Sequence, residues 1–358
     1  MAVLEKTEEL LKQGATVIGY KPEKLVSLAG GKEAKLKFHE LAGKIWGEQT
    51  SEKGEKKYGS GHLAWGITAR EYLMSKDVSA DLEILGNDSK TDFGYIHYTI
   101  GESDVYFVTN QTTGRQKINA RFRVSGKQPE LWDALTGEIR EAKAFMQQDG
   151  LTTVPLTLEP YGAIIVVFNN TISGNKQGSA NSNYSDFVTQ AEITGEWNVT
   201  FDTNRGGTGS VTFTELSDWT QHSNEGIKYY SGTAVYNKTF DIDFEPEKHK
   251  RYFLTLGSVK DVGIAEVKIN GKYKGIVWTS PFRIEISDEL QKSENTLEIK
   301  VVNSWYNRVA GDQTHPDEKQ YTSTNINLKH DFRGRPIDEI PLEPSGLLGP
   351  VSIQEIYY

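Results

Sequence analysis

The chain has 358 residues, 37% of them hydrophobic and including 17 Tyr, 14 Phe and 7 Trp, which is enough apolar material for two or three packed domains and excludes disorder throughout. Lys and Arg number 40 against 49 Asp and Glu, a net charge of −9, and no basic block is long enough to follow a phosphate backbone, so nucleic acid is excluded as a partner. The absence of cysteine removes disulfides, thiolate metal sites and cysteine nucleophiles, and leaves the compartment open.

The first nine residues, Met1 to Glu9, carry neither a basic n-region nor an apolar h-region, so no export signal is readable there. Val3, Leu4, Leu10 and Leu11 recur at helical spacing, with acids in the early turns, Lys12 near the end and Gly14 placed to cap, which predicts an amphipathic helix. Ala15 to Gly19 reads as a short buried strand, Glu33 to Trp46 as a helix, His62 to Gly66 as a second apolar strand and Thr68 to Met74 as a helix. Apolar strands separated by helices belong to a parallel α/β sheet. A pair of strands is too few for such a sheet, so residues 1–85 read as a partial, Rossmann-like α/β segment completed by something upstream, or as an appendage on the next domain.

From about Leu82 the period changes. Ile118, Ala120, Phe122 and Val124 alternate with Asn119, Arg121 and Arg123, as do Val154, Leu156 and Leu158 with their neighbours, the pattern of strands with one face buried and one wet. Tyr95 to Ile100, Val105 to Val108 and Ala163 to Phe168 add strands, and Pro155 places its strand at an edge. Residues 86–170 therefore read as a small antiparallel β-sandwich. The longest apolar run, Ala163 to Phe168, is strand-sized, so no membrane span is expected. Residues 171–190, rich in Asn, Ser and Gly, read as a flexible linker. Short strands then resume to the end, with Asn270-Gly271 as a hairpin turn, and residues 191–358 read as a jelly roll. The fold class expected is thus mainly β: an incomplete α/β segment, an antiparallel sandwich and a C-terminal jelly roll.

The series Gly257-Ser258-Val259-Lys260-Asp261-Val262, Ala265 to Gly271, Gly275-Ile276-Val277-Trp278, Pro281-Phe282, Asn295 to Ile299, Val302-Asn303-Ser304-Trp305-Tyr306-Asn307-Arg308, Gly311-Asp312 and Ser345 to Val351 resembles the galactose-binding-like, sugar-binding domain of glycoside hydrolases. Tyr95-Ile96-His97, Val105 to Asn110 and Pro129 to Asp133 resemble the sandwich that follows the barrel in family 106 α-L-rhamnosidases, and the first 85 residues resemble the end of the α/β domain before it. The resemblance implies a C-terminal portion of such an enzyme, which cleaves rhamnosides by inversion with two acids and calcium in an N-terminal (β/α)₈ barrel. No acid of this chain matches either catalytic role, and Tyr98 stands after His97 where the family pattern has arginine. Catalytic residues are therefore unassigned.

Candidate sugar contacts are Trp278, Trp305 and Tyr306 as a stacking platform, with Asn303, Asn307, Arg308 and Asp312 as hydrogen-bonding partners for hydroxyls. The alternatives are tryptophans in the core with Arg308 and Asp312 as an internal ion pair, or a loop that docks against a barrel. Trp219 reads as core or rim. Gly206 to Gly209 lacks the lysine and helix of a phosphate loop, and the histidines show no metal-ligand spacing. No cofactor is required; Asp241 and Asp243, on one strand face, read as a calcium site or a solvated edge.

Three functions fit: an accessory, carbohydrate-binding part of a rhamnosidase-like enzyme whose catalytic barrel lies on an upstream or separate polypeptide; an independent carbohydrate-binding protein; or a hydrolase or lyase with a site at a domain junction. Rhamnose-containing plant or algal polysaccharide is the expected partner, the parent enzyme is expected to be periplasmic or secreted, and the open α/β edge is a candidate dimer contact.

Overall fold

A computed structural model describes residues 1–48, 51–86, 92–172, 177–260, 262–337 and 340–357. Asp261 of the ordered series and residues 173–176 of the expected linker lie outside them. The chain is mainly β and divides into two compact units, residues 1–83 with 121–123 and residues 84–120 with 124–358.

In the first unit, helices Ala2–Lys12 and Gly31–Trp46 bury Leu4, Leu11, Phe38, Ala42, Ile45 and Trp46 in one cluster with Leu63 of the strand Gly61–Trp65. A third helix, Ala69–Met74, is closed by a capping box between Thr68 and Glu71. The expected strands are present as Thr16–Ile18 and Gly61–Trp65 and run parallel, but the sheet is mixed: Gly54–Tyr58 pairs antiparallel with Gly61–Trp65. Its residues, GEKKY, are too polar to read as a buried strand, because one face alone is partly covered.

Glu8 ties this unit together. Its carboxylate accepts from Tyr58 Oη at 2.6 Å and lies 2.9 Å from Lys44 Nζ and 3.0 Å from Lys12 Nζ. The Tyr58 hydroxyl first, then Lys44 and Lys12, hold its pKa down from 4.5 to about 2.

In the second unit, the sandwich has one sheet of five strands in the order Phe93–Ile100, Ser103–Asn110, Ala163–Thr171, Lys127–Trp132 and Ile139–Glu141. Facing strands include Gln116–Phe122, Leu151–Leu158 and Met146–Gln148. The alternation is as expected: Ile118, Ala120, Val154, Leu156 and Leu158 are buried, with Tyr106, Val108, Leu131, Val166 and Phe168. Contrary to the edge position expected from Pro155, the strand Leu151–Leu158 lies between Met146–Gln148 and Gln116–Phe122; Pro155 is tolerated on the Met146–Gln148 side because that short strand pairs only with Leu151 to Thr153.

The segment expected to be a free linker is pinned over its second half. Gly178 and Ala180 donate backbone N–H groups to the carbonyls of Phe145 and Lys143. Asn183 is buried, accepting from Ala144 N at 2.7 Å and donating to the carbonyls of Ala144 and Pro155. Composition alone misses this because one amide bonded to three backbone groups outweighs a polar neighbourhood.

Beyond it, a four-stranded sheet, Asp186–Glu192, Ser352–Tyr357, Tyr252–Thr255 and Arg283–Glu285, accompanies a six-stranded one. The larger runs Gly209–Phe213, Trp197–Phe201, Thr233–Phe240, Asn295–Val302, Ile264–Ile269 and Lys272–Val277. Asn270 and Gly271, both at positive φ, make the hairpin turn that the sequence predicts. The core gathers Trp197, Val199, Phe201, Trp219, Tyr236, Leu254, Val267 and Ile299. Trp219 belongs to this core, its indole N–H 2.6 Å from Tyr236 Oη, which also accepts from Leu347 N at 3.2 Å.

Two consequences can be measured. Because the Glu8 pKa is lower in the fold than in a free chain, its contribution is complete above pH 4.5 and is lost as the pH falls toward 2. Amide exchange in Ala2–Lys12 should therefore accelerate over that window, and Glu8→Gln should flatten the dependence. Tyr236→Phe strands two buried donors, and urea unfolding should register a loss of about 2 to 4 kcal/mol.

Candidate functional site

The expected platform begins where the strand Asn295–Val302 ends. Three residues later the chain turns at Trp305 into the helix Tyr306–Thr314, an element not foreseen from the sequence because its polar and apolar residues are mixed all round. The helix is pinned by polar groups with no access to water. Asn303 accepts from Gly232 N at 2.9 Å and donates to Tyr230 O at 2.9 Å and Ser345 Oγ at 3.2 Å. Asn307 accepts from Glu343 N at 2.9 Å and donates to Glu343 O at 2.7 Å and Ser345 Oγ at 3.0 Å. Both asparagines are buried and each engages its whole amide in the fold.

Arg308 and Asp312 sit one helical turn apart and are buried, with Nε and Oδ1 3.0 Å apart. The Nε–H does not point squarely at the oxygen. The other carboxylate oxygen accepts from Tyr321 N at 2.9 Å and from Thr322 N and Oγ1 at 2.7 Å each. The Arg308 guanidinium lies over the Tyr321 and Tyr229 rings. This group is an internal brace: it ties the helix to the irregular segment that leads back to Ser345. Burial also pushes the Tyr306 hydroxyl pKa upward, with Glu343 adding to the shift.

What remains open to a ligand is Trp305, 55% exposed at the helix start. Above its ring, at 5.4 Å, lies the guanidinium of Arg205, whose Nε is 3.8 Å from Asp202. Arg205 closes the short turn Thr203–Arg205, which is begun by the Asp202 side chain accepting from Asn204 N and ended by Gly206 at positive φ. A side chain at Gly206 would collide with the Tyr321 ring. The sequence offered a signal for this turn in Asp202 and the glycines after it, but not its position beside Trp305, which depends on strand order. The result is an exposed indole face beside one cation and one carboxylate, groups suited to stacking on a sugar ring and bonding its hydroxyls.

Trp278, 59% exposed, follows the strand Lys272–Val277, and no hydrogen bond or ring contact joins it to the Trp305 turn among the described residues. His97 stacks on Tyr106 with centroids 4.0 Å apart and lies 3.2 Å from Asp104, while Tyr98 is exposed. Asp241 accepts from Glu294 N at 2.7 Å, and no cluster of three metal-binding side chains occurs among the described residues. Nor does any described helix have the length and apolarity to cross a membrane.

The comparisons with known proteins define the class first. Over 99% of its length this chain superposes on a rhamnosidase from Novosphingobium sp. PP1Y with a TM-score of 0.77 and 31% identity, covering 32% of that chain. A curated protein of Formosa agariphila, provisionally named a beta-glucuronidase, is 23% identical over 98% of this chain and 49% of its own. Both relatives bear glycoside hydrolase names, and this chain is similar to them over nearly its whole length. Residues 1–146 match the glycoside hydrolase family 106 profile, described as alpha-L-rhamnosidase, and the whole chain is similar to a C-terminal portion of such an enzyme, as its sequence led us to expect. It spans about a third of the solved rhamnosidase and about half of the curated relative.

The division between brace and surface is open to measurement. Asp312→Ala leaves Arg308 buried without its partner and two backbone amides without an acceptor, and should cost about 3 to 5 kcal/mol in urea unfolding. Trp305→Ala, at an exposed ring, should change stability by less than about 1 kcal/mol.

Proposed function

We propose that this chain is the accessory, carbohydrate-binding and structural part of an α-L-rhamnosidase-like glycoside hydrolase, working with a catalytic barrel on a preceding or separate polypeptide. The observation that carries the reading is the superposition of nearly all of this chain on only a third of a rhamnosidase. Inverting hydrolysis needs an acid and a base roughly 6.5–9.5 Å apart across the bond, and the buried acid of the expected site, Asp312, is committed to Arg308 and a loop. In this reading residues 191–358 form a galactose-binding-like domain, residues 86–170 a supporting sandwich, and residues 1–85 the end of an α/β domain. The ligand is a rhamnose-containing plant or algal polysaccharide, and the working location is the periplasm or the medium.

The Trp305 indole with Arg205 above it is the ligand contact, which also suits a carbohydrate-binding protein acting without an enzyme. Trp278, exposed and joined to the Trp305 turn by no hydrogen bond or ring contact among the described residues, is a secondary candidate. The test is binding of the purified chain to rhamnose-rich pectin and ulvan by affinity electrophoresis, with hydrolysis of an aryl α-L-rhamnoside measured in parallel. Retardation that falls at least tenfold in Trp305→Ala, without hydrolysis, is expected. Hydrolysis by the chain alone would give it the catalytic role, and unchanged retardation in the variant would move the contact elsewhere.

A further inference from the structure

The two β-rich layers of the second unit treat their outer faces differently. On the six-stranded sheet, register places Asn198, Asn237, Glu298 and Lys268 side by side, and in the next row Thr200, Val235, Lys300 and Glu266. Ion pairs link Lys268 to Glu298 at 2.9 Å and Lys300 to Glu266 at 2.8 Å. That is the polar outer face expected of a sheet in water.

The five-stranded sheet has the opposite character. Its inward positions are Tyr106, Val108, Val166, Phe168 and Leu131, all buried. On the other face, register aligns Ile96 with Phe107, Phe107 with Ile165, Ile165 with Trp132 and Trp132 with Ile139. An unbroken apolar row therefore crosses every strand of the sheet, roughly 19 Å at the usual strand spacing. Beside it run Tyr98, Val105 and Val167; Val167 is buried and Val105, Ile165 and Trp132 are half-buried, so the open part of the face lies toward its Ile96 and Ile139 ends. Ile96 is 52% exposed, Ile139 60% and Tyr98 62%. An apolar row with both ends open and its middle half-covered is more apolar surface than a sheet facing water ordinarily shows and marks a contact region.

The chemistry of the face selects the occupant. A sugar needs flat rings with free donors around them, whereas here isoleucines separate the aromatics and the Trp132 indole N–H is committed to Glu130 at 2.9 Å. The charged strand residues on this face are Glu130 and Glu141, directly opposite each other. Like charges so placed are unfavourable until a cation joins them, and they oppose an anionic bilayer. A second copy in a symmetric contact would add the same acidic pair. A different polypeptide with an apolar strip and an adjacent Arg or Lys satisfies both features, and two-thirds of the rhamnosidase that this chain resembles has no counterpart here.

We propose that the outer face of this sheet, centred on Ile96, Phe107, Ile165, Trp132 and Ile139, is the docking surface for the catalytic portion of an α-L-rhamnosidase-like polypeptide; this rests on the function proposed above and names the surface by which it is exercised. Two measurements test it. In the solved Novosphingobium rhamnosidase, the face equivalent to this row should be covered by the part of that chain outside the matched third. An equivalent face open to solvent would overturn the proposal. In this 358-residue chain, Ile96→Lys with Phe107→Lys should leave the unfolding midpoint within about 3 °C and reduce fluorescence of an apolar dye at least twofold, with both parent and variant sedimenting as monomers.

A midpoint that falls by 10 °C or more, or a variant that does not fold, would make the row part of the core and overturn the proposal. A dimer abolished by the same changes would hand the face to a second copy and do the same. Failure here is separable from failure of the functional reading: hydrolysis by the chain alone removes the accessory role without altering which surface is covered in the rhamnosidase, and an open face there leaves glycan retardation by Trp305 intact.

Discussion

The C-terminal half of the protein depends on two buried asparagines sharing one serine hydroxyl. Asn303, just past the end of a central strand, and Asn307, in the first turn of a helix, both donate to Ser345 Oγ, while Ser345 N donates to Asp218 and its neighbour Gly346 opens the next strand. The junction is intolerant of alternatives because every amide atom is paired away from water, where an unmade bond costs far more than a made one contributes. Space is equally constrained: a Cβ at Gly346 would lie 2.4 Å from the Trp219 indole nitrogen, so only glycine lets that strand approach the core. A long irregular excursion thus leaves the helix and returns to a single fixed point.

That junction separates two kinds of residue that look alike in a list. Asn303, Asn307, Arg308 and Asp312 carry the chemistry of a sugar site, yet their polar groups face inward and hold the helix start in place. Trp305 is what they hold out to solvent, and Arg205, brought by another loop, covers part of its ring. In the proposed carbohydrate-binding role the rigid polar interior and the exposed indole act together, since a ring can stack on a ligand at low entropic cost only if its backbone is already fixed.

Much of the fold was legible because burial imposes a period on the sequence. The end of the second helix at Trp46 was readable to the residue, and the inward sets Ile118, Ala120 and Val154, Leu156, Leu158 followed from alternation alone. The elements that escaped lack that imprint. Gly54–Tyr58 is polar because it is only partly covered, and Tyr306–Thr314 mixes its residue types because its polar side chains are buried as well. The pinned run around Asn183 looked like a linker because its order comes from one side chain bonded to distant backbone. The candidate site was legible as a segment, Asn303 to Asp312, and illegible as a division of labour.

The sequence by itself determined the class of layers, the hairpin at Asn270-Gly271 and the likeness to rhamnosidases, since these rest on local periodicity, turn stereochemistry and ordered motifs. Only the tertiary structure decided which polar groups are consumed by the fold, which tryptophan faces solvent beside Arg205, and that Ile96, Phe107, Ile165, Trp132 and Ile139 form one row. Those facts depend on strand order and register, which bring residues far apart in the chain to within one side-chain length, and no local pattern encodes them.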